Sequence, residues 1–142
     1  MSNIEEVILF QIEQASKQSK KYSERELKAS GVDITTEQWI ILKIVDERAP
    51  ISQRELADQS LRDPASITRT LDLLEKKALL RREDIPENRR QHNITLTKKG
   101  RSFVKRNLEL IEQIRNQSVK GFSKKELHKL SEYLVRIKEN MT

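Results

Sequence analysis

Apolar residues recur at helical spacing through most of the chain and alternate in one short stretch before residue 97. Between residues 4 and 29, Ile8, Ile12, Ala15, Ser19 and Tyr22 follow alternating steps of four and three, which predicts a long amphipathic helix ended by Gly31. From Thr36 to about Arg48 the apolar positions Trp39, Ile40, Leu42 and Ile44 are too dense for a thin stripe, so this segment is expected to be the central helix of a core. Pro50 ends it. A short helix from Ser52 to about Gln59 follows, with Leu56 and Ala57 inward, and a connection over Gln59 to Arg62. Ile67, Leu71 and Leu74 then form one face of a helix from Asp63 to Lys77. Leu79 and Leu80 lead into a polar run, and His92, Ile94 and Leu96 alternate with Gln91, Asn93 and Thr95, as in a half-buried strand. The two runs pair as an antiparallel hairpin with a tip at Pro86 to Arg90. Thr97 opens another long helix, to about Ser118, with Phe103, Val104, Leu108, Ile111 and Ile114 on a broad stripe. The last helix carries Leu127, Leu130, Leu134, Ile137 and Met141 at coiled-coil-like spacing.

Helix starts are marked by a recurrent phrase. In Ile34-Thr35…Gln38-Trp39, Ile51-Ser52…Glu55-Leu56 and Phe122-Ser123…Glu126-Leu127 a hydroxyl residue precedes Glu or Gln by three positions, and apolar residues flank the pair. The hydroxyl can satisfy a free first-turn amide, the Glu or Gln can reach back to the cap amide, and the apolar pair fixes the angle of approach. The helix at Asp63 starts differently, with an acidic cap and Pro64 at its first position, where the missing N–H costs nothing.

The leading turns of that helix carry Ala65, Ser66, Thr68, Arg69 and Thr70, small or hydrogen-bonding residues opposite the apolar face. Such a helix suits insertion into a DNA major groove; alone, it equally describes a surface helix of a small bundle. The short capped helix before it and the hairpin after it favour the groove, because together they make a helix-turn-helix with a wing. The turn lacks its usual glycine. The long helices at the two ends need a shared apolar partner, which a second copy of the chain supplies; a closed bundle within one chain is the alternative.

Charge sharpens this picture. The formal net charge of +6 lies in the middle and C-terminal parts: residues 52–101 hold twelve Lys and Arg against eight Asp and Glu, and residues 102–142 nine against five. An anionic partner is therefore expected. There is no cysteine, which excludes disulfides, thiolate metal sites and thiol-based redox sensing. His92 and His128 are too far apart in sequence to suggest a metal site. No nucleophile–base pair, phosphate loop or metal constellation is present, so no enzyme is expected. No run approaches the ~18 apolar residues of a membrane span, and no secretory signal is read at the N-terminus, so the cytoplasm is the default.

The order of elements resembles the MarR-type winged helix-turn-helix transcriptional regulators along nearly the whole chain. Ile34-Thr35-Thr36-Glu37-Gln38-Trp39 resembles the opening of the family's second helix, and Ser52-Gln53-Arg54-Glu55-Leu56-Ala57 its first helix-turn-helix helix. Asn88-Arg89-Arg90, a five-residue spacer, then Leu96-Thr97 and Gly100 resembles its wing, with Asn88 where an Asp is usual. That acid helps hold the wing arginine in the family. Asn88 offers a hydrogen bond without a charge, and Glu87 or Asp84 stands near to compensate.

The resemblance implies a mainly α fold with a small β wing: a winged helix-turn-helix with long N- and C-terminal dimerisation helices. It divides the chain into a dimerisation helix (1–34), a DNA-binding domain (35–100) and C-terminal dimerisation helices (101–142). A homodimer would bind a pseudo-palindromic operator in double-stranded DNA, with recognition helices in the major groove and wings in the minor groove. Arg69 can fork onto guanine, Ser66 and Thr68 can reach bases or phosphates, and Ala65 or the Thr68 methyl can meet a thymine methyl. Arg90, with Arg89 beside it, suits a narrow minor groove. Arg54, Lys76, Lys77, Lys98 and Lys99 are candidates for phosphates, each lysine being equally explained as a solvated charge. No cofactor is expected, although a small aromatic or phenolic effector is, since the family often places a ligand pocket near the dimerisation helices. Phe10, Tyr22, Trp39 and Phe103 are its candidate lining, with core packing the simpler explanation for Trp39. The function expected is therefore a ligand-responsive repressor. The alternative is a winged-helix interaction module binding an acidic protein.

Overall fold

A computed structural model describes residues 3–142, with the side chains of all but residues 88–91. In order along the chain, a 3₁₀ turn (Ile4–Glu6) precedes α1 (Ile8–Ala29), α2 (Thr36–Arg48), β1 (Ile51–Ser52), α3 (Gln53–Ser60), α4 (Pro64–Lys76), β2 (Leu80–Ile85), β3 (Asn88–Leu96), α5 (Lys98–Ser118) and α6 (Lys124–Asn140). The chain divides into two compact units, residues 1–109 and 110–142, with the boundary inside α5. No described helix is long and apolar enough to cross a membrane.

In the first unit the core is built from the buried faces of short elements. Ile67, Leu71 and Leu74 of α4 are fully buried, as are Leu56 of α3, Ile94 of β3 and Leu80 of β2. From α2, Ile41, Leu42 and Val45 enter this core with Trp39 beside them. The sequence singled out Ile40 and Ile44, and both are only half-buried. The buried face begins at Gln38 and continues through Ile41, Leu42 and Val45, the i, i+3, i+4, i+7 set of one helix face, so the two flanking isoleucines lie off its axis.

All three predicted capping boxes form. Thr35, Ser52 and Ser123 each accept the amide three residues on, and Gln38, Glu55 and Glu126 reach back to the cap amides. Asp63 caps α4, accepting from the Ser66 amide at 2.9 Å. At the N-terminus the long helix begins at Ile8 rather than residue 4, after the 3₁₀ turn and an extended Val7.

The sheet has a third strand that the sequence did not announce. The strand order is β1-β3-β2, with Ile51 opposite Ile94 and Ser52 opposite Asn93. A capping residue must be extended, and Ser52 is, at φ −76° and ψ 157°. The cap and the apolar residue before it are thus already in strand conformation and can join a ladder. The hairpin tip is also shorter than expected. Only Pro86 and Glu87 form the turn, and residues 88–90 continue as strand, with Ile85 opposite Asn88 after a bulge.

The first turn of α5 needs its glycine, Gly100, because it runs close to the chain leading into β2. A Cβ there would lie 1.9 Å from the Leu79 carbonyl oxygen. The same point is tied by Thr97, whose hydroxyl donates to the Ala78 carbonyl at 2.6 Å and accepts the Gly100 amide at 2.9 Å. In the second unit Ile111 and Ile114 are buried, whereas Leu130, Tyr133, Leu134 and Val135 of α6, and Met141 just after it, are exposed.

Candidate nucleic-acid interface

The connection between α3 and α4 is tighter than the sequence suggests. It spans Leu61 to Asp63, and Leu61 stands at φ 54° and ψ 31°. That is the left-handed conformation a glycine would adopt without strain, and it explains how the turn closes without one. Arg62 fastens it. Its Nε donates to Glu37 Oε1 at 3.1 Å and its Nη1 to the Ser60 carbonyl at 3.2 Å. The same Glu37 oxygen accepts the Ser66 hydroxyl at 2.9 Å, so one carboxylate of α2 holds both the turn and the start of α4.

The five candidate residues of the recognition helix therefore differ. Ala65, Thr68 and Arg69 are exposed, and Arg69 makes no hydrogen bond or ion pair among the described residues. Ser66 is half-buried, with its proton given to Glu37. Thr70, expected on the exposed edge, is instead buried at 7% exposure. Its position between Ile67, Leu71 and Leu74 puts it on the inward face, because residues three apart on a helix lie on one side.

Arg82, absent from the sequence candidates, joins the wing to α4. Its Nη2 donates to Asp72 Oδ1 at 2.6 Å and to Glu75 Oε1 at 2.9 Å, while its backbone amide meets Glu75 Oε2 at 3.2 Å. The hydrogen bond from the guanidinium holds the Glu75 carboxyl below the usual carboxylate range, and the same bond raises the Arg82 pKa. Two acids three apart on an outward helix face, inside a basic segment, were the signal for such a partner. Further along the strand pair, His92 Nδ1 lies 3.0 Å from Asp84 Oδ1, opposite it in register. Asp84 is therefore engaged by a neighbour within the described wing. Arg89 and Arg90, the wing candidates, and Asn88 lie outside the described side chains.

The candidate phosphate residues also separate. Arg54, Lys76 and Lys98 are exposed. Lys77 is committed to its own chain: its ammonium donates to the Asp33 carbonyl at 2.8 Å and lies 3.6 Å from the Asp33 carboxylate. Lys99 donates to the Lys77 carbonyl at 3.1 Å, closing the C-terminal end of α4. Lys99 thus answers the free carbonyls at a helix end, which attract cations, and Lys77 answers a loop carbonyl and carboxylate.

Between α3, the leading half of α4 and the wing lies an open groove of about 710 Å³, bordered by Gln53, Arg54, Thr68, Arg82 and His92. A second cavity, of about 530 Å³, is lined by Lys28, Ile34, Gln38 and Lys77. Of the four aromatic candidates for an effector, Trp39 is buried and Phe10, Tyr22 and Phe103 are half-buried. None of them lines either cavity. Among the described residues no cluster of His, Asp and Glu is placed to hold a metal ion.

A capped short helix, a turn closed by a left-handed residue, a second helix with one face buried, and a hairpin tied to it define a winged helix-turn-helix protein. Residues 34–92 match the model of the MarR family. Through this segment the chain is similar to the MarR-family transcriptional regulators. The fold is shared with solved structures over nearly the full length. Bordetella bronchiseptica BpsR, described in connection with regulation of its DNA binding by 6-hydroxynicotinic acid, is 20% identical with a TM-score of 0.87, over 97% of each chain. A MarR variant from E. coli complexed with operator DNA is 22% identical with a TM-score of 0.83, over 96% of this chain and 99% of that one. S. aureus MepR, in a complex with DNA, is 21% identical with a TM-score of 0.83, over 94% and 98%.

Proposed function

We propose that the protein is a sequence-specific regulator of transcription that binds a pseudo-palindromic operator in double-stranded DNA as a homodimer, in the cytoplasm, and represses until a small aromatic or phenolic effector releases it. One observation carries the reading. The leading half of α4 presents Ala65, Thr68 and Arg69 to solvent, and Arg69 has no partner among the described residues. Arg62, Arg82 and Arg101, by contrast, are each bonded to their own chain. An uncommitted guanidinium on the exposed edge of a rigidly held helix is matched to the paired acceptors of guanine in the major groove.

Dimerisation is supported by the apolar residues left uncovered near both termini: Ile4, Val7, Ile8 and Leu9 at the start of the chain, and Leu130, Leu134 and Val135 on α6. A contiguous exposed apolar stripe is costly in water and is covered by association. The cavity bordered by Lys28 and the apolar Ile34 is a candidate place for a small ring, with Glu24 and Asp33 also on its border and Lys77 already paired to Asp33. A ligand there would act by favouring dimers whose recognition helices are wrongly spaced.

Selection of genomic fragments by the purified chain, followed by footprinting, tests the reading. Arg69→Ala is expected to cost about 1–3 kcal/mol on the selected site and to relax base preference there, with little effect on random DNA. Aromatic acids added to the same assay test the effector. Binding indifferent to DNA sequence overturns the operator reading and favours an acidic protein partner.

A further inference from the structure

Gln53 opens α3 directly after the Ser52 cap, and its side chain reaches α4, where Nε2 donates to Thr68 Oγ1 at 2.8 Å. Thr68 is engaged a second time. Its Oγ1 donates to the Pro64 carbonyl one turn earlier, at 3.0 Å. A hydroxyl has one proton to give. With that proton on Pro64, Thr68 can only accept from Gln53, and the Gln53 amide must turn its NH2 toward Thr68. The orientation of an amide is fixed by its hydrogen-bond partners, and here the chain Gln53–Thr68–Pro64 fixes it. Gln53 Oε1 is left without a partner among the described residues, on the border of the groove between α3, α4 and the wing.

We infer that Gln53 is a specificity-determining residue of fixed polarity, whose Oε1 accepts from the exocyclic amino group of adenine or cytosine in the major groove. This rests on the DNA-binding reading above. Guanine and thymine present O6 and O4 at that edge, and an acceptor facing an acceptor is repelled. Adenine gains further, because the second amide hydrogen of Gln53 can reach its N7. Thr68 is a positioning residue in this arrangement. Its proton and one lone pair are used to aim Gln53, so its methyl is the part left wholly uncommitted for a base.

The test is selection of duplexes from a random pool by the full chain and by Gln53→Ala, Gln53→Glu and Thr68→Val, with circular dichroism to confirm folding. The parent is expected to enrich adenine or cytosine over guanine and thymine at one position of each half-site. Gln53→Ala should flatten that position, with roughly a tenfold loss of preference. Gln53→Glu keeps an acceptor and should keep the preference while binding all DNA more weakly. Thr68→Val removes the acceptor that aims the amide, so guanine or thymine should enter at that position. If the parent selects a site and Gln53→Ala or Thr68→Val selects it with unchanged preferences, the inference fails and the DNA-binding reading stands. If the parent selects no sequence, both fail.

Discussion

Two regions of this protein handle their apolar surface in opposite ways. The winged helix-turn-helix encloses it: Leu56, Ile67, Leu71, Leu74, Leu80 and Ile94 are fully buried within one chain. The two ends leave theirs in water, with Ile8 and Leu9 in one unit and Leu130 and Leu134 in the other all more than 40% exposed. The first region is also stitched by directed polar contacts, through Glu37 to the turn and through Arg82 to the wing. On α6 the contacts are local ones, such as the Ser123 capping box and the His128–Glu132 pair one turn apart. The winged helix-turn-helix thus covers its apolar residues within a single chain, and the ends do not. In the proposed homodimer that division lets the spacing of the two recognition helices change without disturbing either one.

The comparison breaks most sharply at Leu71. Leu71→Ala removes a fully buried side chain of α4 and should cost about 2–5 kcal/mol in urea unfolding, equally at low and high protein concentration. Gly100→Ala comes next, at about 1–3 kcal/mol, because its Cβ must push against the Leu79 backbone rather than a movable side chain. A Gly100→Ala chain as stable as the parent would show that α5 can shift away from the wing freely. Leu134→Ala uses the same chemistry as the first change on an exposed position. It should lower the stability of the isolated chain by less than about 0.5 kcal/mol and instead weaken self-association in sedimentation at micromolar concentration. A concentration-independent loss as large as that of Leu71→Ala would erase the distinction between the two regions.

A small effect on stability is expected at Arg82 as well. Its partners Asp72 and Glu75 are solvent-facing, so Arg82→Met should cost below about 1 kcal/mol at neutral pH. The pH dependence is more telling than the size. Glu75 has a lower pKa in the folded protein than its ordinary value of 4.5, so its contribution is present above that value and is lost as pH falls through the lowered one. Arg82→Met should flatten this part of the acid unfolding curve. An unchanged curve would remove the bridge from the account of how the wing is held.

Much of the molecule was legible because its signals are local. The three capping boxes rest on hydroxyls and carboxyls three residues apart, and all three form. The inward face of α4 follows from helical period, and the same period should have placed Thr70 with it. The Gly100 requirement was legible only as a motif; the reason, contact with the Leu79 carbonyl between α4 and β2, is spatial.

The candidate site was less legible. Arg69 and Lys77 are both cations on or just after α4, and only the folded chain separates the one without a described partner from the one bound to the Asp33 loop. Gln53 and Thr68 are fifteen residues apart, so neither could be seen to aim the other.

By itself the sequence determined where helices begin, which faces turn inward, that a wing follows the second helix of the pair, and that cysteine chemistry is excluded. These depend on spacing, capping and composition, which act within a few residues. Tertiary structure alone decided that Ile51 and Ser52 form a third strand, that Leu61 takes the place of a glycine in the turn, that Glu37 and Arg82 fix the recognition helix from two sides, and which way the amide of Gln53 faces. Each of these is a choice of hydrogen-bond partner between distant residues. That choice is made only when the chain has folded and the alternatives have been priced against water.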